Sequence, residues 1–291
     1  MRNFSQVDVF TSEPTFGNPV AVVLDANGMT DDEMAQFANW TNLSETTFVL
    51  PPTESTADYR VRIFTPSSEL PFAGHPTIGT CHAWLEAGGV PKSERVIVQE
   101  CGVGLVTLRN SGRLAFAAPP LIRDGAVADE DLDPVCRVLG VDRGEVVDAQ
   151  WTDNGPGWLT VMLTDAKAVL ALNPDFSSAE GEGAGVLGST VIGVVGPHKI
   201  GVVGATDATG PAIEVRGFFR ANGAVAEDPV TGSLNAGIAQ WLLGNGTLTA
   251  PYVARQGTAL GRRGFVHIEE ADGEIWVGGD AVTVISGHAS L

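Results

Sequence analysis

The chain has 291 residues, 44% of them hydrophobic, and carries a formal net charge of −18. This length suits two domains, each with its own core. The negative charge argues against nucleic acids and anionic membranes as partners, because both attract cationic surfaces. Three cysteines without CxxC spacing predict no disulfide framework. The N-terminus lacks an apolar signal-peptide core, and no run of 18 apolar residues occurs, so we expect a cytoplasmic protein.

The first 118 residues contain short apolar or alternating segments that predict strands. The segments are 7–10, 19–24, 46–50, 59–65, 95–100, 104–109 and 114–118. Thr30 and Glu33 form a capping-box pattern, which predicts a helix over residues 30–40. A second helix, free of charged residues, is predicted over 76–85.

After the Pro119-Pro120 linker, the chain shows a similar alternation of strands and helices. Helices are predicted over 130–139 and 234–243, and strands over 157–163, 192–195, 200–204, 213–219, 265–270, 274–278 and 281–286. We therefore expect an α+β fold with domains at 1–118 and 121–278. The last strand could return to the first domain, which residues 279–291 would then complete.

A loop-then-helix pattern occurs twice, 158 residues apart, and is the most informative feature of the chain. The copies are Glu69-Leu-Pro-Phe-Ala-Gly-His-Pro-Thr-Ile-Gly79 and Glu227-Asp-Pro-Val-Thr-Gly-Ser-Leu-Asn-Ala-Gly237. Without gaps they match at Glu69/Glu227, Pro71/Pro229, Gly74/Gly232, Gly79/Gly237, Leu85/Leu243 and Gly88/Gly246. A helix that is apolar all round must be buried. The N–H groups of its first turn need an anion or another acceptor, so we expect two related halves that face a shared pocket.

Four side chains near these helix starts are candidates for chemistry: Glu45, His75, Asp228 and Ser233. Each also has an ordinary structural interpretation. Glu45 could be a solvated residue at the start of a strand, and His75 could be a capping or core residue. Asp228 and Ser233 could be helix caps.

Other motifs are weaker. The Gly183-Ala-Gly-Val-Leu-Gly188 segment matches a dinucleotide pattern by letter, but a polar loop precedes it instead of a strand. Cys81 and His82 fall inside the first apolar helix, and we expect them to pack in the core. The remaining histidines have no partners at metal-ligand spacing, so we predict no metal site.

Four blocks resemble the phenazine biosynthesis PhzF family, whose fold is similar to that of diaminopimelate epimerase. The blocks are Phe16-Gly-Asn-Pro-Val-Ala-Val22, Asn42-Leu-Ser-Glu-Thr46, the segment 64–79, and Glu227-Asp-Pro-Val-Thr-Gly-Ser233. Gln256-Gly257 with Gly261-Arg262 resembles a further family block. The resemblance implies two similar domains, each a curled sheet around a central helix, with the active site in the cleft between them. It also implies cofactor-free chemistry and a homodimer.

The resemblance implies that Glu45 moves a proton, assisted by His75, Asp228 and Ser233. It also implies that Gly74 and Gly232 present backbone N–H groups near a substrate carboxylate. We add Asn18 and Thr231, which lie in the matching blocks, as candidate substrate-binding residues. Two departures stand out. Arg220 follows an aromatic pair where many members carry a proline, and neither helix start holds the cysteine that the epimerase relatives use as a base.

We therefore predict an isomerase that moves a proton, by an allylic or a 1,3 or 1,5 shift, on a small unsaturated carboxylate, in secondary metabolism. Burial raises the pKa of a carboxyl group, as a general base near neutral pH requires. One alternative is a racemase or epimerase of a small amino or hydroxy acid, with Glu45 opposed by Asp228. Another is a non-catalytic protein that binds a small molecule.

Overall fold

The computed structural model describes residues 1–176, 191–198, 210–221 and 224–291. The chain divides into two compact units, an N-terminal unit of residues 1–117 and 277–291, and a C-terminal unit of residues 118–276. In the part of the chain that is described, no helix is long and apolar enough to cross a membrane. The strand predicted at 200–204 and the glycine pattern at 183–188 lie outside the described residues.

The N-terminal unit consists of short strands and two helices. Its strands are β1 (Arg2–Val9), β2 (Asn18–Val23), β3 (Glu45–Leu50), β4 (Tyr59–Phe64), β5 (Glu69–Leu70), β6 (Val96–Cys101), β7 (Gly104–Asn110), β8 (Leu114–Ala117) and, at the end of the chain, β18 (Ala281–Ala289). Its helices are α1 (Asp31–Thr41) and α2 (Gly74–Glu86). Thr30 and Glu33 form the predicted capping box at the start of α1.

The sheet of this unit is wrapped around α2. Strands pair in the order β18, β1, β2, β3, β4, β6, β7 and β8, with parallel pairing only at β2–β3 and β4–β6. Helix α2 contacts β1, β2 and β3 from one part of this order and β8 from its far end. A flat sheet could not place both ends against one helix, so the sheet curls around it.

The C-terminal unit is built in the same way. Its strands are β9 (Arg123–Ala126), β10 (Val146–Asp153), β11 (Trp158–Leu163), β12 (Val191–Pro197), β13 (Ile213–Ala221), β14 (Ala224–Asp228), β15 (Tyr252–Gln256) and β16 (Gly264–Ala271), and β17 (Glu274–Gly279) crosses the boundary between the units. Its helices are α3 (Asp129–Leu139), α4 (Ala166–Ala171) and α5 (Gly232–Gly244), with 3₁₀ turns at Arg143–Glu145 and Thr258–Leu260. Helix α5 contacts β10, β11 and β16.

The two units repeat one connectivity. In the first, β2 and β3 are parallel around α1, and β4 and β6 are parallel around α2. In the second, β11 and β12 are parallel around α4, and β13 and β15 are parallel around α5. In both, a short hairpin strand, β5 or β14, directly precedes the buried helix. The predicted α+β architecture, with a curled sheet around a central helix in each unit, is therefore confirmed.

Glycines in the buried helices allow strands to approach the helix backbone. A Cβ atom at Gly79 would lie 2.4 Å from Cγ1 of Val20 in β2. At the matching position of the repeat, a Cβ atom at Gly237 would lie 2.4 Å from the backbone oxygen of Thr152 in β10. Both distances are shorter than the non-bonded contacts that Cβ atoms make in proteins. These two glycines are thus required by packing, which explains why the repeat retains them.

The sequence predictions missed five strands and one helix, namely β5, β9, β10, β14, β15 and α4. All but β10 have two to six residues, which is too few for a clear periodicity. Strand β10 has eight residues, but polar side chains interrupt its apolar pattern. Cys81 is fully buried as expected, but the side chain of His82 is 21% exposed, and its Nε2 lies 3.4 Å from Oε1 of Glu86. The prediction that His82 packs in the core is therefore wrong, because the last turn of α2 reaches the surface.

We expect Gly237→Ala to lower the free energy of unfolding by about 2 kcal/mol or more, because the added methyl group would overlap the Thr152 carbonyl. The matched control is Gly244→Ala in the same helix, where a Cβ atom meets nothing within 4 Å. It should raise the free energy of unfolding by up to about 1 kcal/mol through helix propensity. Urea denaturation of both variants checks this, and equal stabilities would contradict the packing argument.

Candidate active site

In the N-terminal unit, Glu45, His75 and Asn18 form a group that we call the Glu45 cluster. Glu45 is the first residue of β3, and in the parallel register it lies beside Val20 of β2. Oε2 of Glu45 is 3.4 Å from Nε2 of His75, and the two side chains are only 16% and 6% exposed. Nδ2 of Asn18 lies 3.3 Å from Nδ1 of His75. The structure therefore brings three of the predicted site residues together, and Glu45 is not a solvated strand end.

The imidazole of His75 is held neutral. Burial lowers the pKa of His75 from its ordinary value of 6.5 to about 3, and a hydrogen bond to the backbone of Pro19 opposes this only in part. A neutral ring can donate from Nε2 to an ionised Glu45. In its other tautomer it can accept from a protonated Glu45, and the Asn18 amide must then turn its oxygen toward Nδ1. His75 is thus suited to a partner that changes its protonation state.

Both buried helices begin without a side-chain cap. Helix α2 begins at Gly74 after Ala73, and α5 begins at Gly232 after Thr231; no capping side chain bonds to the first turn of either helix. Neither helix has an acidic residue in its first turn. Helix α1, by contrast, is closed by its capping box. The positive end of the helix dipole and the first-turn N–H groups thus remain suited to an anionic ligand in both units.

In the C-terminal unit, Asp228, Thr231, Asn235 and Gln256 form a group that we call the Asp228 cluster. Oγ1 of Thr231 donates to Oδ2 of Asp228 at 2.7 Å. Gln256 is fully buried and bonds to Thr231, Asn235 and the backbone oxygen of Asp228. Two predicted residues, Asp228 and Thr231, are thus in direct contact.

Ser233 is held by residues that the sequence analysis did not assign to the site. Nε1 of Trp158 donates to Oγ of Ser233 at 3.0 Å, and Nδ2 of Asn154 donates to the Ser233 backbone oxygen at 2.8 Å. Asp153 in turn accepts from the backbone N–H groups of Gly155 and Gly157, which shapes this loop. Trp158 uses a lone pair of the Ser233 hydroxyl, so that hydroxyl can direct its proton to a ligand.

The repeated glutamates brace the hairpins that precede the buried helices. Arg62 donates from Nε and Nη2 to Glu69, both at 2.7 Å, and Arg216 donates in the same way to Glu227 at 2.9 and 2.7 Å. Such two-point pairs fix geometry as well as charge. Because Glu227 is adjacent to Asp228, this brace sets the position of the end of β14. The match of Glu69 with Glu227 in the repeat was the available signal, although the sequence analysis gave it no role.

The three cysteines are poorly suited to act as bases. Burial raises the pKa of the Cys81 thiol to about 12, and burial also raises the pKa values of Cys101 and Cys136. Thiols that stay protonated are poor bases. Over the described ranges, no group of three or more His, Cys, Asp or Glu side chains could hold a metal ion. The side chain of Arg220 lies outside what the structure describes.

Known proteins resemble the chain over all or part of its length. The family model PhzC-PhzF, phenazine biosynthesis-like protein, matches residues 7–287. The chain is 36% identical over 308 residues to antisense-enhancing sequence 1 of Schizosaccharomyces pombe, covering 100% of this chain and 99% of that protein. It is 33% identical over 286 residues to an uncharacterized isomerase of Pasteurella multocida, covering 97% and 92%. It is 35% identical over 183 residues to trans-2,3-dihydro-3-hydroxyanthranilate isomerase of Pseudomonas aeruginosa, covering 60% and 62%.

Solved structures with the same fold include more distant proteins. A PhzF-family phenazine biosynthesis protein of Enterococcus faecalis superposes with a TM-score of 0.78 at 24% identity, covering 100% of both chains. A probable proline racemase of Agrobacterium radiobacter superposes with a TM-score of 0.54 at 13% identity, covering 100% of this chain and 93% of that one. At these identities the likeness concerns the fold alone.

The neutrality of His75 predicts a dependence of stability on pH. The unfolded chain takes up a proton on this residue near pH 6.5, whereas the folded chain does so only near pH 3. Stability is therefore lost as the pH falls through this window. Between pH 7 and pH 4.5, the free energy of unfolding should fall by about 2 to 3 kcal/mol more in the wild type than in His75→Gln.

Urea denaturation at the two pH values measures this difference. The control is His288→Gln, because His288 is exposed. It should show the same loss of stability as the wild type. An equal loss in His75→Gln would contradict a buried, neutral His75.

Proposed function

The chain belongs to the PhzC-PhzF family of phenazine biosynthesis-like proteins and is an isomerase, and we propose that it moves a proton between two carbons of a small unsaturated carboxylate. The observation that carries this proposal is the contact of Glu45 with His75, at 3.4 Å and largely out of water. A carboxyl group in such a place is suited to general acid and base catalysis. His75 provides a partner for either of its protonation states.

The reaction requires only one acid–base group. The ionised Glu45 carboxylate takes a proton from an activated carbon, and the electron pair of the broken C–H bond enters the conjugated system of the substrate. The protonated Glu45, whose carboxyl proton exchanges with solvent, then delivers a proton to a different carbon of that system. The double bond has moved, no atom is gained or lost, and Glu45 is restored. Positioned acid–base catalysis contributes roughly 10²- to 10⁴-fold to the rate.

Other site residues bind and orient the substrate in this proposal. The first-turn N–H groups of α2, introduced by Gly74, stabilise the substrate carboxylate, and those of α5, introduced by Gly232, are a second candidate for this role. Ser233 donates its hydroxyl proton to the substrate, and Asp228 accepts a hydrogen bond from it. Two further residues act indirectly. Asn18 contacts His75, and Thr231 contacts Asp228, so both support binding by positioning their neighbours.

The name of the Pseudomonas aeruginosa relative supplies a substrate probe, trans-2,3-dihydro-3-hydroxyanthranilate. This compound is a small unsaturated carboxylate, as the proposal requires. We further propose that the chain works in secondary metabolism, in the cytoplasm and as a homodimer. The family description supports the first of these, and the resemblance of the four sequence blocks supports the last.

We expect Glu45→Gln to lower the turnover of this probe by about 10²- to 10⁴-fold, because an amide cannot accept the proton. Deuterium from the solvent should enter the product with the wild type and not with the variant. The matched control is Glu94→Gln, an exposed glutamate of the same unit that should leave turnover unchanged. Retention of most activity by Glu45→Gln would eliminate Glu45 as the base.

The type of reaction is read from two signals in the same assay. A proton shift along a conjugated system changes the ultraviolet absorbance of the substrate. A racemase or epimerase would instead change optical rotation and leave the absorbance as it was. Stoichiometric binding with no change in absorbance or optical rotation and no deuterium exchange would indicate a binding protein and would contradict the isomerase mechanism.

A further inference from the structure

We propose that Gln256 is a positioning residue, which acts through Thr231 to hold Asp228 as a hydrogen-bond acceptor in one orientation. The inference deepens the proposed function and rests on it in one respect, namely that Asp228 takes part in the reaction. The hydrogen bonds themselves are properties of the C-terminal unit alone. They can therefore be tested without a substrate.

The orientation of the Gln256 amide is determined by two backbone groups. Oε1 lies 3.0 Å from the Thr231 backbone nitrogen, which can only donate. Nε2 lies 3.1 Å from the Asp228 backbone oxygen, which can only accept. Exchanging the amide oxygen and nitrogen would break both bonds. The NH₂ group of Gln256 therefore faces Asp228 and Thr231.

This orientation sets the direction of the next bond. Nε2 of Gln256 lies 2.9 Å from Oγ1 of Thr231 and donates to it. The hydroxyl proton of Thr231 then points to Oδ2 of Asp228, 2.7 Å away. This distance is that of a well-formed O–H···O hydrogen bond. The chain of donors thus runs from Gln256 through Thr231 and ends at Asp228, which is the acceptor.

Burial makes the arrangement rigid. Gln256 is fully buried and Thr231 is 6% exposed, so neither side chain can replace a lost bond with one to water. Asn235, 1% exposed, donates a further bond to Oε1 of Gln256 at 2.8 Å. The adjacent charge on Glu227 is paired with Arg216 and is not part of the chain. Asp228 is consequently suited to accept from an N–H or O–H group of the substrate.

The N-terminal unit contains a natural comparison. Gln99 in β6 is also fully buried and donates from Nε2 to Thr77 of α2 at 3.0 Å. Gln99 follows Thr77 of α2 by 22 residues. In the C-terminal unit, Gln256 follows Asn235 of α5 by 21 residues and bonds to it. However, Oε1 of Gln99 accepts from the Tyr59 hydroxyl. The buried glutamine is thus common to both units, whereas its link to a carboxylate is seen only at Gln256 among the described residues.

The test follows the titration of Asp228 by NMR of ¹³Cγ-labelled aspartate, with the Asp228 signal identified by its absence from Asp228→Asn. Removing a donor to an ionised carboxylate raises its pKa. We expect the titration midpoint to rise by about one unit in Thr231→Val and by about half a unit in Gln256→Met, because the Thr231 hydroxyl can then rotate away. Thr231→Ser retains the hydroxyl and should titrate like the wild type.

Gln99→Met is the matched control, because it removes a buried glutamine of the same kind without touching Asp228. It should lose stability to a similar extent and leave the Asp228 midpoint unchanged. An unchanged midpoint in Gln256→Met, or an equal rise in Gln99→Met, would overturn the positioning role of Gln256. If Gln256→Met does not fold, the comparison of Thr231→Val with Thr231→Ser decides, and equal midpoints in those two would overturn the proposal.

Failure of the proposed function is distinguished by the activity of the same proteins. If Glu45→Gln keeps its deuterium exchange while the Asp228 midpoints shift as expected, the hydrogen-bond chain stands and the catalytic role of Glu45 falls. If Asp228→Asn keeps full turnover of the probe, Asp228 takes no part in the reaction. That outcome would overturn the functional role given to Gln256, whatever the midpoints show.

Discussion

Enclosure of a mainly apolar helix by its own sheet is the constraint on which each unit depends. The helix can approach its strands closely only where it carries no side chain, at Gly79 against Val20 and at Gly237 against Thr152. In the N-terminal unit, Val20 lies beside Glu45 in the parallel register. The contact that packs α2 against β2 therefore also determines how far Glu45 is from the start of α2. The contact at Gly79 is therefore required both for packing of the helix and for the geometry of the site.

Duplication preserved the supporting structure more strictly than the chemical groups. Both units keep the arginine–glutamate brace, and in both the arginine also lies over a phenylalanine ring, at 5.0 Å for Arg62 and 4.8 Å for Arg216. The first turns of the helices differ, with a histidine in one unit and a serine in the other. Bonds that fix the backbone are thus shared by both units, whereas the groups that would meet a ligand have diverged.

The distribution of protons over the candidate groups is set by burial and by hydrogen bonds. Burial keeps His75 neutral and the cysteine thiols protonated. The direction of the hydrogen bonds at Gln256 and Thr231 makes Asp228 an acceptor. Glu45 then remains as the carboxyl group beside a partner that tolerates both of its protonation states. This division of roles is consistent with chemistry in which one residue both takes a proton from the substrate and returns one to it.

The sequence by itself determined the two-unit α+β plan, the buried helices and the residues around their starts. These follow from local information, namely hydrophobic periodicity, a capping box, and a repeat of fixed spacing. Each copy of the repeat runs into a segment that contains no charged residue. Tertiary structure alone decided which side chains meet. The contact of His75 with Glu45 spans 30 residues, and that of Gln256 with Thr231 spans 25. No local pattern predicts such pairs, because they depend on how the strands pair and curl. For the same reason Trp158, Asn154 and Gln256 received no role from the sequence, although all three hold residues of the candidate site in place.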